Sequence, residues 1–567
     1  MKKIFFYLTI AGLLLTRLVV FSFFSPSLYW DEVALAYDSW SLATNWHDYH
    51  HHFLPLVAVE SFGDYKPSGY FYVTALLMKV FGPADWVVRL PSFLAGIAIA
   101  MGAGVLLQKL LAYVGCHSRS SQALAILVAM GNPAIFHLSL AAWETHLATA
   151  FFLWGIILLF PGRKLAKLSL KLLGGQTLLI MSFYTYHSMR IIAPVMGIFC
   201  LCWQLALLKK RIWQWQNLGI LSLMLVLAMV SFTPWLWVDK AQINQRFKET
   251  SVFSQNQAVI QANQCLRLRQ FSWWSKIFCH RYRYYMGEIL HHYFDHFSLD
   301  YLFLTGEANR RHATGLFGIF YPFELLAFFW GMVYWWRQKH SSFFWQVSAF
   351  LLLWLLLSVL PASLTVATPH LLRSFSLVPL GIMMIAWGWQ VALKRLPHQL
   401  TIYANWGIGV IYGVFLFIYV WHYTYYYLPT SSSWWQFGYK QAIEYLGDLQ
   451  KEYPQLPVGM TRNLGRPSMY YFWFNRVNPL LVQAQSQQEK FDQGEYLSFS
   501  PHRVTFGGLI YSQKQLLLVT PEELAALPSA SLEQKMTVTN ATGQEVLLVG
   551  LFQPSPNVSA ENSALEL

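Results

Sequence analysis

About eleven stretches of this chain are apolar over a length suited to crossing a bilayer, and that pattern constrains the fold more than any motif does. They fall near 4–24, 87–108, 121–141, 146–160, 168–186, 191–208, 217–238, 314–334, 342–360, 371–392 and 402–427. The third and fourth are nearly continuous, so a count of ten to thirteen fits equally. In hydrocarbon, backbone N–H and C=O groups have to be satisfied within the segment, so each stretch is expected to be a helix. Only 12% of the 567 residues are charged, against about 25% in a soluble domain. An ordinary cytosolic enzyme, a disordered chain and a coiled coil are excluded on that ground.

The net charge of +13 would suggest nucleic acid in a soluble protein. Here the basic residues sort by loop. Lys2 and Lys3 precede the first stretch, and Lys109 and Arg119 separate the second from the third. Arg163, Lys164, Lys167 and Lys171 follow the fourth, and Lys209, Lys210 and Arg211 follow the sixth. Arg337 and Lys339 follow the eighth, and Lys394 and Arg395 the tenth. All lie on one side of an eleven-span path, while the short connections on the other side hold only Arg190 and Arg373. This positive-inside pattern predicts a multi-pass protein of the cell membrane, with a cytoplasmic N-terminus and an outside C-terminus. The charge is a topology signal, and no nucleic-acid partner is expected. The N-terminal stretch reads as an uncleaved anchor, since it is about 20 residues long and no small-x-small site follows.

The predicted fold class is therefore an α-helical polytopic membrane domain over 1–429, with outer segments near 25–86 and 239–313, followed by a small extracytoplasmic α/β domain over 430–567. In that tail Gln515–Val519 and Glu545–Gly550 read as strands, residues 433–453 as an amphipathic helix, and Thr539–Gln544 as a hairpin turn. No internal repeat supports an inverted-repeat transporter. Of five cysteines, Cys265 and Cys279 share the second outer segment, as a disulfide or as two free thiols. Asn540 and Asn557 begin formal glycosylation sequons.

Candidate chemistry gathers at the outer ends of the stretches. Asp31 and Glu32 follow the first stretch directly; adjacent carboxylates at a membrane boundary are either solvated caps or groups able to take a proton from a hydroxyl. Lys66, held by Pro67, suits a fixed phosphate contact or an interfacial snorkelling lysine. Glu144 is the single carboxylate of its short outer turn. Arg190 and Arg373 each have a histidine three residues earlier, His187 and His370, and together would form an anion site. His47, His50, His51 and His52 surround Asp48, and His292 and His296 have helical spacing, yet no zinc motif such as HExxH is present. These read as solvated or hydrogen-bonded histidines. A divalent metal is possible but nothing indicates one, and no cofactor is expected.

In order and spacing, several motifs resemble those of bacterial membrane-embedded C-type glycosyltransferases that use polyprenyl-phosphate sugars, a group related to the protein O-mannosyltransferases of family 39 and the lipid A aminoarabinose transferase. The resemblance rests on residues 29–32, 61–67, 88–92, 142–144, 184–190, 304–312, 361–365 and 369–374. It implies a catalytic carboxylate just after the first span, here Asp31, with Glu32 beside it. It implies a second acidic position at Glu144. A Lys-Pro that touches the lipid phosphate in the aminoarabinose branch corresponds to Lys66-Pro67, although that branch usually has Glu where Tyr65 stands. His370 and Arg373 match a basic motif near the site, and with Lys66 and Arg190 they are the residues expected to bind the donor phosphate. The implied function is inverting transfer of a sugar from a polyprenyl-phosphate donor to an acceptor hydroxyl on the outer face. Lipid, glycan and protein acceptors remain open. A transporter or flippase of lipid-linked sugars is the alternative, and a non-catalytic scaffold a third.

Overall fold

A computed structural model describes residues 2–116, 119–162, 167–238, 248–268, 273–463, 465–486, 491–492, 494–507, 513–526 and 531–554. Arg163, Lys164, parts of the second outer segment and the sequon at Asn557 lie outside the described residues. The chain forms two compact units. The first comprises Met1–Phe23 and Pro91–Trp421, the second Phe24–Leu90 and His422–Leu567.

The first unit is helical. Its helices include α1 (Lys2–Phe23), most of α4 (Asp85–Tyr113), α5 (Arg119–Gly131), α6 (Pro133–Leu138), α7 (Glu144–Leu159), α8 (Lys171–Thr185), α9 (Met189–Leu208) and α10 (Trp215–Phe232). Further helices span Glu324–Trp336, Phe344–Ser363, Leu377–Arg395 and His398–His422. Among the described residues, six helices are long and apolar enough to cross a membrane, and four shorter ones are apolar, including α3 (Gly69–Phe81) of the second unit. Leu223, Leu225, Val226, Met229 and Val230 of α10 are exposed, as suits a helix whose solvent is lipid. Cys265 and Cys279 form a disulfide.

The helices depart from the predicted stretches in three places. The eighth stretch becomes helical only at Glu324, ten residues after its predicted start, and residues 314–323 form irregular chain. The tenth is a short helix Leu371–Ser374 followed by Leu377–Arg395. The third breaks at Asn132, because Pro133 has no N–H for the carbonyl of Ala129 and its ring crowds that carbonyl.

Arg17, buried in α1, repairs that break. Its Nη2 donates to the Ala129 carbonyl at 3.3 Å and its Nε to the Met130 carbonyl at 3.0 Å, while Nη1 reaches Ser139 Oγ at 3.1 Å. The Asn132 side chain caps α6 by accepting from the Ile135 N–H. Each buried polar group left unmade costs about 1–3 kcal/mol. Arg17→Met is therefore expected to lower the melting temperature of the detergent-solubilised protein by several degrees. An unchanged melting temperature would contradict this role.

The second unit joins Phe24–Leu90 to the C-terminal tail. Tyr37 Oη donates to the Val477 carbonyl at 3.1 Å, and Trp473 Nε1 to Asp85 Oδ1 at 2.9 Å. The tail holds strands β3 (Val458–Met460), β4 (Phe491–Asp492), β5 (Glu495–Tyr496), β6 (Ser498–Phe499), β7 (Val504–Phe506), β8 (Gln515–Val519), β9 (Ser531–Thr539) and β10 (Glu545–Gln553). Six of them form one sheet in the order β6-β7-β3-β8-β10-β9. β3 runs parallel to β7 and β8, and β10 antiparallel to β8 and β9. The continuous apolar run of β8 is buried throughout, as a central strand covered on both faces requires. The helix Tyr439–Glu452 buries Ala442, Ile443, Leu446 and Leu449 at helical spacing and packs on β8 and β10. It begins six residues after its predicted start, because Gln436 and Gly438 take positive φ. The β9–β10 turn is closed by Asn540, whose side chain accepts from the Thr542 and Gln544 N–H groups.

Candidate active site

Asp31, Glu32 and Lys66 belong to the second unit, and Glu144, Arg190, His370 and Arg373 to the first. In the second unit, α2 (Trp30–Asn45) starts directly after Tyr29, and Asp31 and Glu32 lie in its first turn, where the helix dipole favours carboxylates. The Trp30 N–H is taken by Gln436 Oε1 at 3.2 Å, which ties the start of α2 to the tail.

The partner of α2 is a hairpin, β1 (Ala58–Ser61) and β2 (Asp64–Pro67), in antiparallel register with Val59 opposite Lys66. Phe62 and Gly63 form its two-residue turn with φ of 50° and 79°, the left-handed pair that a tight hairpin needs. Asp31 and Asp38 are seven residues apart, so they share one face of α2. Ser61 Oγ donates to Asp38 Oδ2 at 2.6 Å, and Lys66 Nζ donates to Asp31 Oδ1 at 2.5 Å. Tyr49 adds a third tie, its hydroxyl accepting from the Phe62 N–H at 2.8 Å. Burial pushes the Asp38 carboxyl well above the usual carboxylate range, with Asp48 adding to the rise and Ser61 opposing it. The Lys66 side chain is 4% exposed and that of Asp31 39%, so the lysine is held while the carboxylate faces outward.

Glu32 has a different environment. It is fully buried, and Arg89 of α4 grips both its oxygens, Nε to Oε1 at 2.7 Å and Nη2 to Oε2 at 2.6 Å. Arg89 also donates to the carbonyls of Pro26 and Ser27 at 2.8 and 3.2 Å, the residues that lead into α2. A carboxylate committed this way fixes the helix that carries Asp31. Arg89 stands in one of the motifs quoted above, but its spacing from Glu32 gives no hint that the two meet.

In the first unit, Glu144 opens α7. The Oγ1 of the next residue, Thr145, donates to the Leu372 carbonyl at 2.8 Å, which brings the chain at Glu144 beside the chain at Arg373. Trp143, on the other side, meets the His312 ring edge-on at 5.2 Å. His312 Nδ1 lies 2.8 Å from Glu307 Oε1, and the Leu371 N–H donates to Glu307 Oε2 at 2.6 Å. The His370 N–H donates to His296 Nε2 at 3.0 Å. Arg190 stacks over Trp235, 4.9 Å from its ring centre. Glu307, His312 and His296 were not among the residues expected to act. The run Gly306-Glu307 through Arg311-His312 was visible as a motif, but its pairing with His370, 58 to 64 residues away in sequence, was not.

Fold and site define an integral membrane protein, mostly helical, that carries a carboxylate–lysine pair at the start of α2. No protein-family model matches the sequence, and no curated protein matches it. Among solved structures the chain is similar to ArnT from Cupriavidus metallidurans in the apo state, at 14% identity and a TM-score of 0.47 over 95% of this chain and 97% of that one. The same protein bound to undecaprenyl phosphate gives 13% and 0.46 over the same shares. The archaeal oligosaccharyltransferase AglB from Archaeoglobus fulgidus, in complex with an inhibitory peptide and a dolichol-phosphate, gives 11% and 0.41 over 84% of this chain and 64% of that one.

Proposed function

We propose that this protein is a glycosyltransferase that moves a sugar from a polyprenyl-phosphate donor to an acceptor hydroxyl on the outer face of the cell membrane. The observation that carries the reading is the contact of Lys66 with Asp31, a held cation touching an outward-facing carboxylate. A phosphate-linked sugar needs both groups: a cation for the charge that develops on the leaving phosphate and a base for the attacking hydroxyl. Asp31 accepts the acceptor's proton as its oxygen bonds to the anomeric carbon. The carbon–oxygen bond to phosphate breaks on the opposite side, and its electron pair leaves with the polyprenyl phosphate, so configuration inverts. Lys66 exchanges Asp31 for phosphate when donor binds, which leaves the carboxylate able to take a proton. Glu32 supports the site through Arg89. Arg190, Arg373 and Glu144 are assigned supporting roles on their chemistry and on the sequence resemblance.

Lys66→Ala should reduce both donor affinity and turnover. The combined loss is expected on the order of 2–4 kcal/mol, since the lysine is buried and its phosphate bond is charge-assisted. Donor binding and transfer by the purified protein measure the two effects. Wild-type binding by the variant would remove Lys66 from the phosphate. Mass spectrometry of lipid-linked sugars and envelope glycans, with and without the gene, tests the function itself: loss of one glycan with accumulation of one lipid-linked sugar is expected.

A further inference from the structure

We propose that Glu307, His312 and His370 hold a divalent transition-metal ion of the zinc type. Each offers a ligand atom, and these atoms lie within 4.8 Å of one another. Glu307 and His312 are buried, and one carboxylate with two imidazoles is a ligand set that zinc accepts, with a fourth position left for water.

The local chain is built to hold this set. Gly306 takes φ +82°, which lets the backbone turn at Glu307. His312 donates its N–H to the Asn309 carbonyl at 2.9 Å, and that turn returns its ring to Glu307. His370 comes from a separate segment, held by its own N–H to His296 and by the Leu371 N–H to Glu307. The donors are backbone N–H groups, and the Leu371 N–H falls on Glu307 Oε2, which leaves Oε1 to face the ion. Metal–ligand bonds of 2.0–2.2 Å put tetrahedral ligand atoms about 3.4 Å apart. To reach that spacing the 2.8 Å contact of His312 with Glu307 opens, and the ligand atoms, now within 4.8 Å of one another, draw around the ion. If His312 binds through Nδ1, its hydrogen moves to Nε2. Glu307 and His312 also line a small pocket with Tyr301, Gly306 and Leu371. The ion would tie residues 306–312 to residues 370–373, which reassigns His370 from donor phosphate to metal.

The test is metal content of the full-length protein, purified without chelator, together with uptake of Co²⁺ read from its visible absorption. One ion per chain and a tetrahedral Co²⁺ spectrum are expected, with both lost in His312→Ala and His370→Ala. Glu307→Gln keeps the side-chain size and is expected to weaken Zn²⁺ binding tenfold or more. It carries the test if a histidine variant fails to fold. His50→Ala with His52→Ala, in the other histidine group, should change neither signal. A wild-type protein that holds no ion and gives no Co²⁺ spectrum would overturn the proposal, as would wild-type Zn²⁺ affinity in the Glu307 variant.

Discussion

Asp31→Asn is expected to lower sugar transfer by roughly 10²–10⁴-fold, the contribution of one positioned general base. The change keeps the side-chain size and an oxygen for Lys66, so α2 and the hairpin should keep their places. The loss should fall on turnover, because the carboxylate acts on the acceptor hydroxyl, while donor affinity stays within a few-fold of wild type. Lys66→Ala differs by weakening donor binding as well. If Asp31 were a solvated helix cap, its replacement would change transfer little, since exposed substitutions usually cost under about 0.5 kcal/mol. Donor affinity and single-turnover rate, measured on the same preparation, separate the two accounts.

Arg89→Leu has the largest expected effect on stability. It strands the Glu32 carboxylate in a fully buried position and frees the carbonyls of Pro26 and Ser27. Breaking one side of a buried ion pair costs about 3–5 kcal/mol. Replacing both members by apolar residues of similar volume is often neutral, so Arg89→Leu with Glu32→Leu should recover most of the thermal stability. The double variant also tests how Glu32 acts. As a positioning residue for Asp31 it should leave measurable transfer with a raised acceptor KM. A stable double variant whose turnover falls as far as that of Asp31→Asn would instead place Glu32 in the chemistry. Thermal unfolding in detergent and transfer kinetics on the single and double variants give both answers.

Apolar helices were legible from the length of their runs, six of them among the described residues long and apolar enough to cross a membrane, and the central strand β8 because a continuous apolar run bounded by turn residues has few other uses. The positions of Asp31, Lys66 and Glu144 were legible as charged residues at the ends of apolar runs, where charge is costly without a partner. Their partners were not. Lys66 meets Asp31 across 35 residues, and beside them Arg89 meets Glu32 across 57 and Gln436 meets Trp30 across 406, and no periodicity encodes these distances. The break at Pro133 had a local signal in the proline itself, yet its repair by Arg17 depends on how α1 packs. The hairpin that carries Lys66 had Gly63 as its cue, but Phe62 at positive φ is paid for by Tyr49, a tertiary contact. The join of Phe24–Leu90 to the tail rests on similar contacts, such as Tyr37 with Val477.

The central claim is that the carboxylate–lysine pair on α2 and its hairpin transfers sugar from a polyprenyl-phosphate donor. Its most direct test is release of polyprenyl phosphate from a panel of such donors by purified wild-type protein and by Asp31→Asn, in the presence of an envelope acceptor extract. The account predicts release from one donor by wild type, an inverted anomeric centre in the product, and bound but unreacted donor in the variant. Release at the wild-type rate by Asp31→Asn, or a product of retained configuration, would contradict it.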